Sequence, residues 1–195
     1  GDKVEVVIGN STEIDLKSGY DVIVRETVRN QAFDEAIVPT MIDARKRFLA
    51  KGGVIIPEMV ELVAAPAILL NETETPLGVP VSSNFLNGLA SNFTFKLQDR
   101  SMIELLAGPK PIKTVDLTTI KEDLSYTGFT ASWNMANVGE PNAVVLWARS
   151  RLLSGINLDA WKTTNWSPVV CRFKPFNTEK GRLDFELSIN SNQRF

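Results

Sequence analysis

The chain has 195 residues, 44% of them hydrophobic and 23% charged, enough to build a real core. Its net charge of −2 supplies no general attraction to nucleic acid or anionic membrane, so neither partner is expected. Histidine is absent, which excludes Ser-His-Asp and Cys-His catalysis and most zinc sites. Chemistry must rest on carboxylates, hydroxyls, amides or a bound cofactor. The lone cysteine, Cys171, lies in an apolar run and reads as a small buried hydrophobe. It precludes an intramolecular disulfide and fits a reducing, cytoplasmic location. No stretch approaches the roughly 18 apolar residues of a membrane-spanning helix, and the polar N-terminus gives no reason to expect a signal peptide.

Lys3 to Ile8 (KVEVVI) reads as a strand ending at the turn residue Gly9. A polar connection from Gly9 to Leu16 leads to Asp21–Val24, which reads as a short buried strand. The loop that follows holds Glu26 and Glu35, nine positions apart. From Asp34 to Ala50 the apolar residues Ile37, Val38, Met41, Ile42, Phe48 and Leu49 recur at helical spacing. Pro39 belongs in the first turn of that helix, which places Glu35 just before its positive end. Arg45, Lys46 and Arg47 complement its negative end as a solvated basic face, and Gly52 is expected to close it in left-handed conformation. A second apolar strand, Val54–Ile56, ends at Pro57.

Beyond Pro57 the pattern is of strands alone: Met59–Ala65, Ser91–Leu97, Ile112–Leu117, Phe129–Met135, Ala143–Arg149, Trp166–Phe173 and Arg182–Asn190. In the last, Leu183, Phe185, Leu187 and Ile189 alternate with polar residues, a half-buried strand by its period of two. Phe129, Ala131, Trp133 and Met135 alternate likewise. Strands separated by Gly, Pro and Asn turns predict an antiparallel sandwich or barrel.

The succession strand, Glu26, eight-residue loop, Glu35, helix, Gly-Gly, strand, Pro57 and all-β region resembles the protein arginine methyltransferases. Their double-Glu loop carries two glutamates at this spacing. The resemblance implies an α/β plus all-β fold: the C-terminal half of a Rossmann-like S-adenosylmethionine-binding domain (1–57), then an antiparallel β-barrel for substrate and dimerisation (58–195). It assigns Glu26 and Glu35 to catalysis and Ser11, Thr12 and Glu13 to the cofactor. Thr164-Asn165-Trp166 stands where the family has Thr-His-Trp, so Asn165 and Trp166 are expected to line the acceptor pocket. Residues 68–90 fit a simple strand meander poorly, and Asn84–Ala90 within them read either as part of the family's dimerisation arm or as a surface loop. The implied partners are a protein or peptide arginine and a second copy of the chain.

The paired carboxylates have a chemical reason. A guanidinium is cationic and its nitrogens are poor nucleophiles. Two carboxylates grip its planar fork by charge-assisted hydrogen bonds and orient one nitrogen, so positioning and electrostatics supply most of the catalysis. Taken by themselves, two such glutamates also read as surface carboxylates, and Trp166 as barrel core.

Five departures set the chain apart. Thr12 replaces the first glutamate of the family's adenine-side loop, and Asn165 replaces a histidine and cannot take up a proton near neutral pH. Arg25 precedes Glu26 where a small residue is usual, and Arg29 lies between the glutamates, where it could pair with either. No Gly-x-Gly loop occurs in the sequence. The expectation is therefore part of an S-adenosylmethionine-dependent methyltransferase, inactive as this chain alone. The alternative is a non-catalytic interaction or dimerisation module. A changed acceptor, acidic or phosphate-bearing, is a third reading that Arg25 and Arg29 would suit.

Overall fold

The computed structural model describes residues 3–28, 30–33, 35–70, 93–97, 99–163, 166–173 and 181–189. The first unit is α/β. Strand β1 (Tyr20–Val24) runs parallel to β2 (Leu49–Ile56), and helix α1 (Ile37–Arg47) connects them. The helix buries Ile37, Val38, Met41 and Ile42, the stripe its periodicity predicts, with Pro39 in its first turn.

Several expectations are corrected here. Lys3–Ile8 forms no strand, and Val4, Val6 and Ile8 stand at least 80% exposed. Its β-branched residues have the propensity for a strand, but no neighbouring strand supplies a ladder. Strand β1 is exposed rather than buried; only Ile23 is partly covered. The helix is shorter than its sequence pattern and ends at Arg47. The Phe48 carbonyl then accepts from Gly19 and Tyr20 N–H, which ties the helix end to the start of β1. Gly52 does adopt a left-handed φ of 82°, but inside β2, where the register with β1 slips. A Cβ on Gly53 would stand 2.8 Å from Leu49 Cδ1 and 3.0 Å from the Asp21 carbonyl, so β1 approaches closest there. The basic end of α1 is only partly a solvated face: Lys46 is exposed, but Arg45 donates to the Leu117 and Ile120 carbonyls, and Arg47 to Asp43 and to the Ser11 and Ile14 carbonyls.

The remainder is antiparallel. Its strands are β3 (Met59–Leu69), β4 (Phe93–Lys96), β5 (Ile103–Leu105), β6 (Lys110–Asp116), β7 (Phe129–Asn134), β8 (Ala143–Leu153), β9 (Ile156–Asp159), β10 (Val169–Arg172) and β11 (Arg182–Leu187). Seven of them make one sheet in the order β4-β10-β8-β3-β5, with β6 also on β3 and β9 also on β8. β7 and β11 form a separate antiparallel pair in which Leu183 faces Trp133 and Leu187 faces Phe129. The sheet curls into a half-barrel.

The long central strands β3 and β8 pair from Met59↔Arg151 to Ala67↔Ala143. Pro66 falls in the gap where the β6 partnership stops at Ala64 and that of β5 starts at Ala67, so its missing N–H leaves no ladder bond broken. Residues 62–65 and 143–148 are buried throughout, and one apolar core runs from them to α1 and the loop before it. Phe33 of that loop meets Phe129 edge-on at 6.2 Å between ring centroids. Buried Asn142 accepts from Leu69 N–H at 2.7 Å and donates to its carbonyl at 3.3 Å. Cys171 is half-buried in β10, and desolvation pushes its thiol up to about 11, so it stays protonated near neutral pH.

Candidate functional site

Strands β1 and β2 end side by side, and the ladder extends one step further because Arg25 N–H donates to the Ile56 carbonyl at 2.8 Å. The chain beyond β1 then crosses toward the barrel. Val28, Ala32 and Phe33, all at most 3% exposed, pin this loop to the core. Ala32 (φ 63°) and Ala36 (φ 50°) both adopt the left-handed conformation that alanine disfavours. Backbone strain is thus concentrated between Glu26 and α1, a distribution typical of binding loops.

A cavity of about 320 Å³ opens at this carboxyl end of the parallel pair, the usual place for a ligand in an α/β sheet. Arg25, Glu26 and Val28 line it from the loop, Pro57 from the start of the barrel, and Trp166 from the far side. Two devices hold the far side in place. Asn30 Oδ1 accepts from Ser167 N–H at 3.1 Å, tying the glutamate loop to the Trp166 segment. Arg100 donates to the carbonyls of Ala160, Thr163 and Trp166, joining these three points to one side chain. The sequence carried no signal for Arg100, since its three partners lie some sixty residues away.

The structure thus brings Glu26 and Trp166 to one wall-to-wall cavity, with Glu26 exposed at its rim and Trp166 half-buried. Glu35 is half-buried and is not on the lining. Its link to the site runs through Arg25, whose Nη2 donates to the Glu35 carbonyl at 2.6 Å. Burial of the Arg25 guanidinium lowers its pKa, and the nearby Glu35 charge opposes that. Arg25 therefore sets a cation against Glu35. Arg29, Thr164 and Asn165 lie outside the described residues, as do 71–92, which include the segment read as arm or loop.

Ser11, Thr12 and Glu13 lie on an exposed turn away from this cavity. Asn10 Oδ1 accepts from Thr12 N–H and Oγ1–H, and Asn10 Nδ2 donates to Glu13 at 3.0 Å. The Ser11 carbonyl is taken by Arg47. A neighbouring groove of about 380 Å³ shares Ser150, Leu158 and Thr163 with the cavity. Its two arginines are already paired, Arg149 with Asp159 at 3.0 Å and Arg151 with Glu58 at 2.9 Å. Among the described residues no group of three or more His, Cys, Asp or Glu is placed to hold a metal ion. No helix among them is long and apolar enough to cross a membrane.

No family model matches the chain. A rice protein (Oryza sativa subsp. japonica) named "Probable protein arginine N-methyltransferase 6.1" is 27% identical over 150 residues, covering 70% of this chain and 37% of that relative. The chain thus spans little more than a third of that protein's length. Among solved structures, protein arginine methyltransferase 10 of Arabidopsis thaliana superposes with a TM-score of 0.74 at 18% identity, over 97% of this chain and 67% of that one. The Trypanosoma brucei PRMT1 enzyme-prozyme heterotetrameric complex with AdoHcy gives 0.72 at 19%, over 94% and 62%. In sequence and in fold the chain is thus similar to protein arginine methyltransferases, over part of their length.

Proposed function

We propose that the chain is the acceptor-binding part of an S-adenosylmethionine-dependent methyltransferase of the arginine-methyltransferase type, and that alone it transfers no methyl group. The observation that carries this reading is the single cavity shared by Glu26 and Trp166 at the carboxyl end of a parallel strand pair. The similarity to the rice relative supports the reaction class, and the AdoHcy in the trypanosomal complex supports the cofactor class. S-adenosylmethionine would supply an electrophilic methyl group. The residues present here do not make a site for it. The polar groups of the Asn10–Glu13 turn bond to one another and to Arg47, and the 195 residues contain no Gly-x-Gly loop. The chain's own contribution is to bind and orient the acceptor between Glu26 and Trp166 and to exclude water with the apolar wall around them.

Arg25 favours a second reading, a non-catalytic partner subunit, because its bond to the Glu35 carbonyl sets a cation against the second glutamate. The trypanosomal neighbour joins an enzyme to a prozyme. Calorimetric titration of S-adenosylhomocysteine into this chain and into the full-length gene product separates the two. The first reading expects binding by the full-length protein alone, and a loss of methyl transfer of at least tenfold in its Glu26→Gln variant. Binding by neither leaves the partner reading, and transfer unchanged in Glu26→Gln removes Glu26 from the acceptor site.

A further inference from the structure

Among the described residues, Arg25 is the only cation lining the Glu26–Trp166 cavity. Main chain and side chain are both anchored. Its N–H donates to the Ile56 carbonyl at 2.8 Å, and its Nη2 donates to the Glu35 carbonyl, ten positions on, at 2.6 Å. The residue is half-buried. Desolvation works against its charge, and the Glu35 carboxylate works for it. Carbonyls and carboxylates are the partners by which a guanidinium out of bulk water is held, since it donates through five N–H groups and accepts nothing. Arg25 thus takes, from inside the chain, the kind of bonds that an arginine entering from solvent would need.

Resting on the acceptor-site reading above, we propose that Arg25 is an internal occupant of the acceptor site. Its guanidinium holds the place beside Glu35 that an incoming arginine would take, so residue 25 sets the affinity of this chain for arginine. The lining offers that arginine one carboxylate, Glu26, while Arg25 meets the charge of Glu35. Arg25 also sets a like charge on the same wall, and two guanidinium groups cannot hydrogen-bond to each other because neither accepts. In a half-buried cavity that repulsion is screened less than in open solvent. Shortening the side chain reverses both effects: Arg25 no longer meets the Glu35 charge, and the space of the departed head group joins the cavity. A neutral ligand of the same shape gains the space but not the charge. A clasp that merely held the loop would behave otherwise, because its removal would loosen the wall for every ligand alike.

The test uses the whole chain and two blocked amino acids of one shape: the N-acetyl methylamides of arginine and of citrulline, whose neutral urea replaces the guanidinium. Binding is followed at pH 7 by the indole N–H resonance of Trp166, assigned with Trp166→Phe. Arg25→Ser is expected to bind the arginine compound about tenfold or more tightly than the native chain does, with the citrulline compound changed by no more than about twofold. Arg25→Gln, which keeps a neutral donor for the Glu35 carbonyl, should show the same selective gain, and it serves if Arg25→Ser does not fold. Arginine affinity unchanged or lowered by these substitutions, or a gain shared equally by citrulline, overturns the internal-occupant assignment and leaves the acceptor site standing. No response of Trp166 to the arginine compound, in the native chain or in either variant, overturns both.

Discussion

Val144 and Val145 in β8 are fully buried, whereas Val22 and Val24 in β1 are 49% and 68% exposed, although both pairs sit in apolar stretches of strand. The difference lies in how each sheet is covered. The antiparallel sheet curls over its own inner face, and α1 with its preceding loop joins the same core. A parallel pair cannot do this, since its faces must be covered by other elements. Here α1 covers the side where Ile55 is 2% exposed, and the face carrying Tyr20, Val22 and Val24 stays open. The cavity lies at the seam, with Arg25 and Glu26 from the open unit and Ser150, Thr163 and Trp166 from the closed one. The barrel side supplies a rigid wall; the strand side supplies the charges.

The barrel side is the more costly to disturb. Leu62→Ala, at a position with no exposure, removes packing on β3 where β8 is paired against it. The expected loss is about 2–5 kcal/mol in urea unfolding. Asn142→Leu comes next: it fits the buried site roughly but strands the Leu69 N–H and carbonyl, with an expected loss of about 2–3 kcal/mol. Equal stability in that variant would mean water or a neighbouring group replaces the amide. Arg45→Ala cuts the tether from α1 to the Leu117 and Ile120 carbonyls. A charged donor to two part-buried carbonyls puts its loss at about 1–2 kcal/mol, and hydrogen exchange should show α1 opening before β3 and β8.

The same contrast explains what the residues disclosed in advance. Period-two alternation made β7 and β11 legible, because one face of each meets the core and the other meets solvent. β5 and β9 went unread: at three and four residues they are too short for a period, and they exist only as partners to the ends of β3 and β8. KVEVVI has the composition of a strand and no ladder to join, which composition cannot report. Glu26 and Trp166 were legible through the resemblance. Ser150 was not, yet a signal was there: in Leu146, Ala148, Ser150 a hydroxyl takes the inward place of an otherwise apolar alternation. Arg25 was noticed as out of pattern. That it reaches the Glu35 carbonyl depends on where the loop turns, and the left-handed Ala32 and Ala36 of that loop carry no sequence mark.

The smallest expected effect is the most informative about the open strand. Val22→Thr combined with Val24→Thr keeps β-branched residues on β1, so its strand preference is retained. Both side chains are largely in water already, and surface changes of this kind stay within about 0.5 kcal/mol. Urea unfolding of the double variant should therefore overlay that of the parent chain, and the concentration dependence of the melting temperature should flatten if open apolar surface drives association. A loss well above that margin would mean that this face is covered in solution. The contrast between a self-covering barrel and an open strand pair would then describe the isolated chain alone, and the cavity at their seam would have to be redrawn with the covering surface as a third wall.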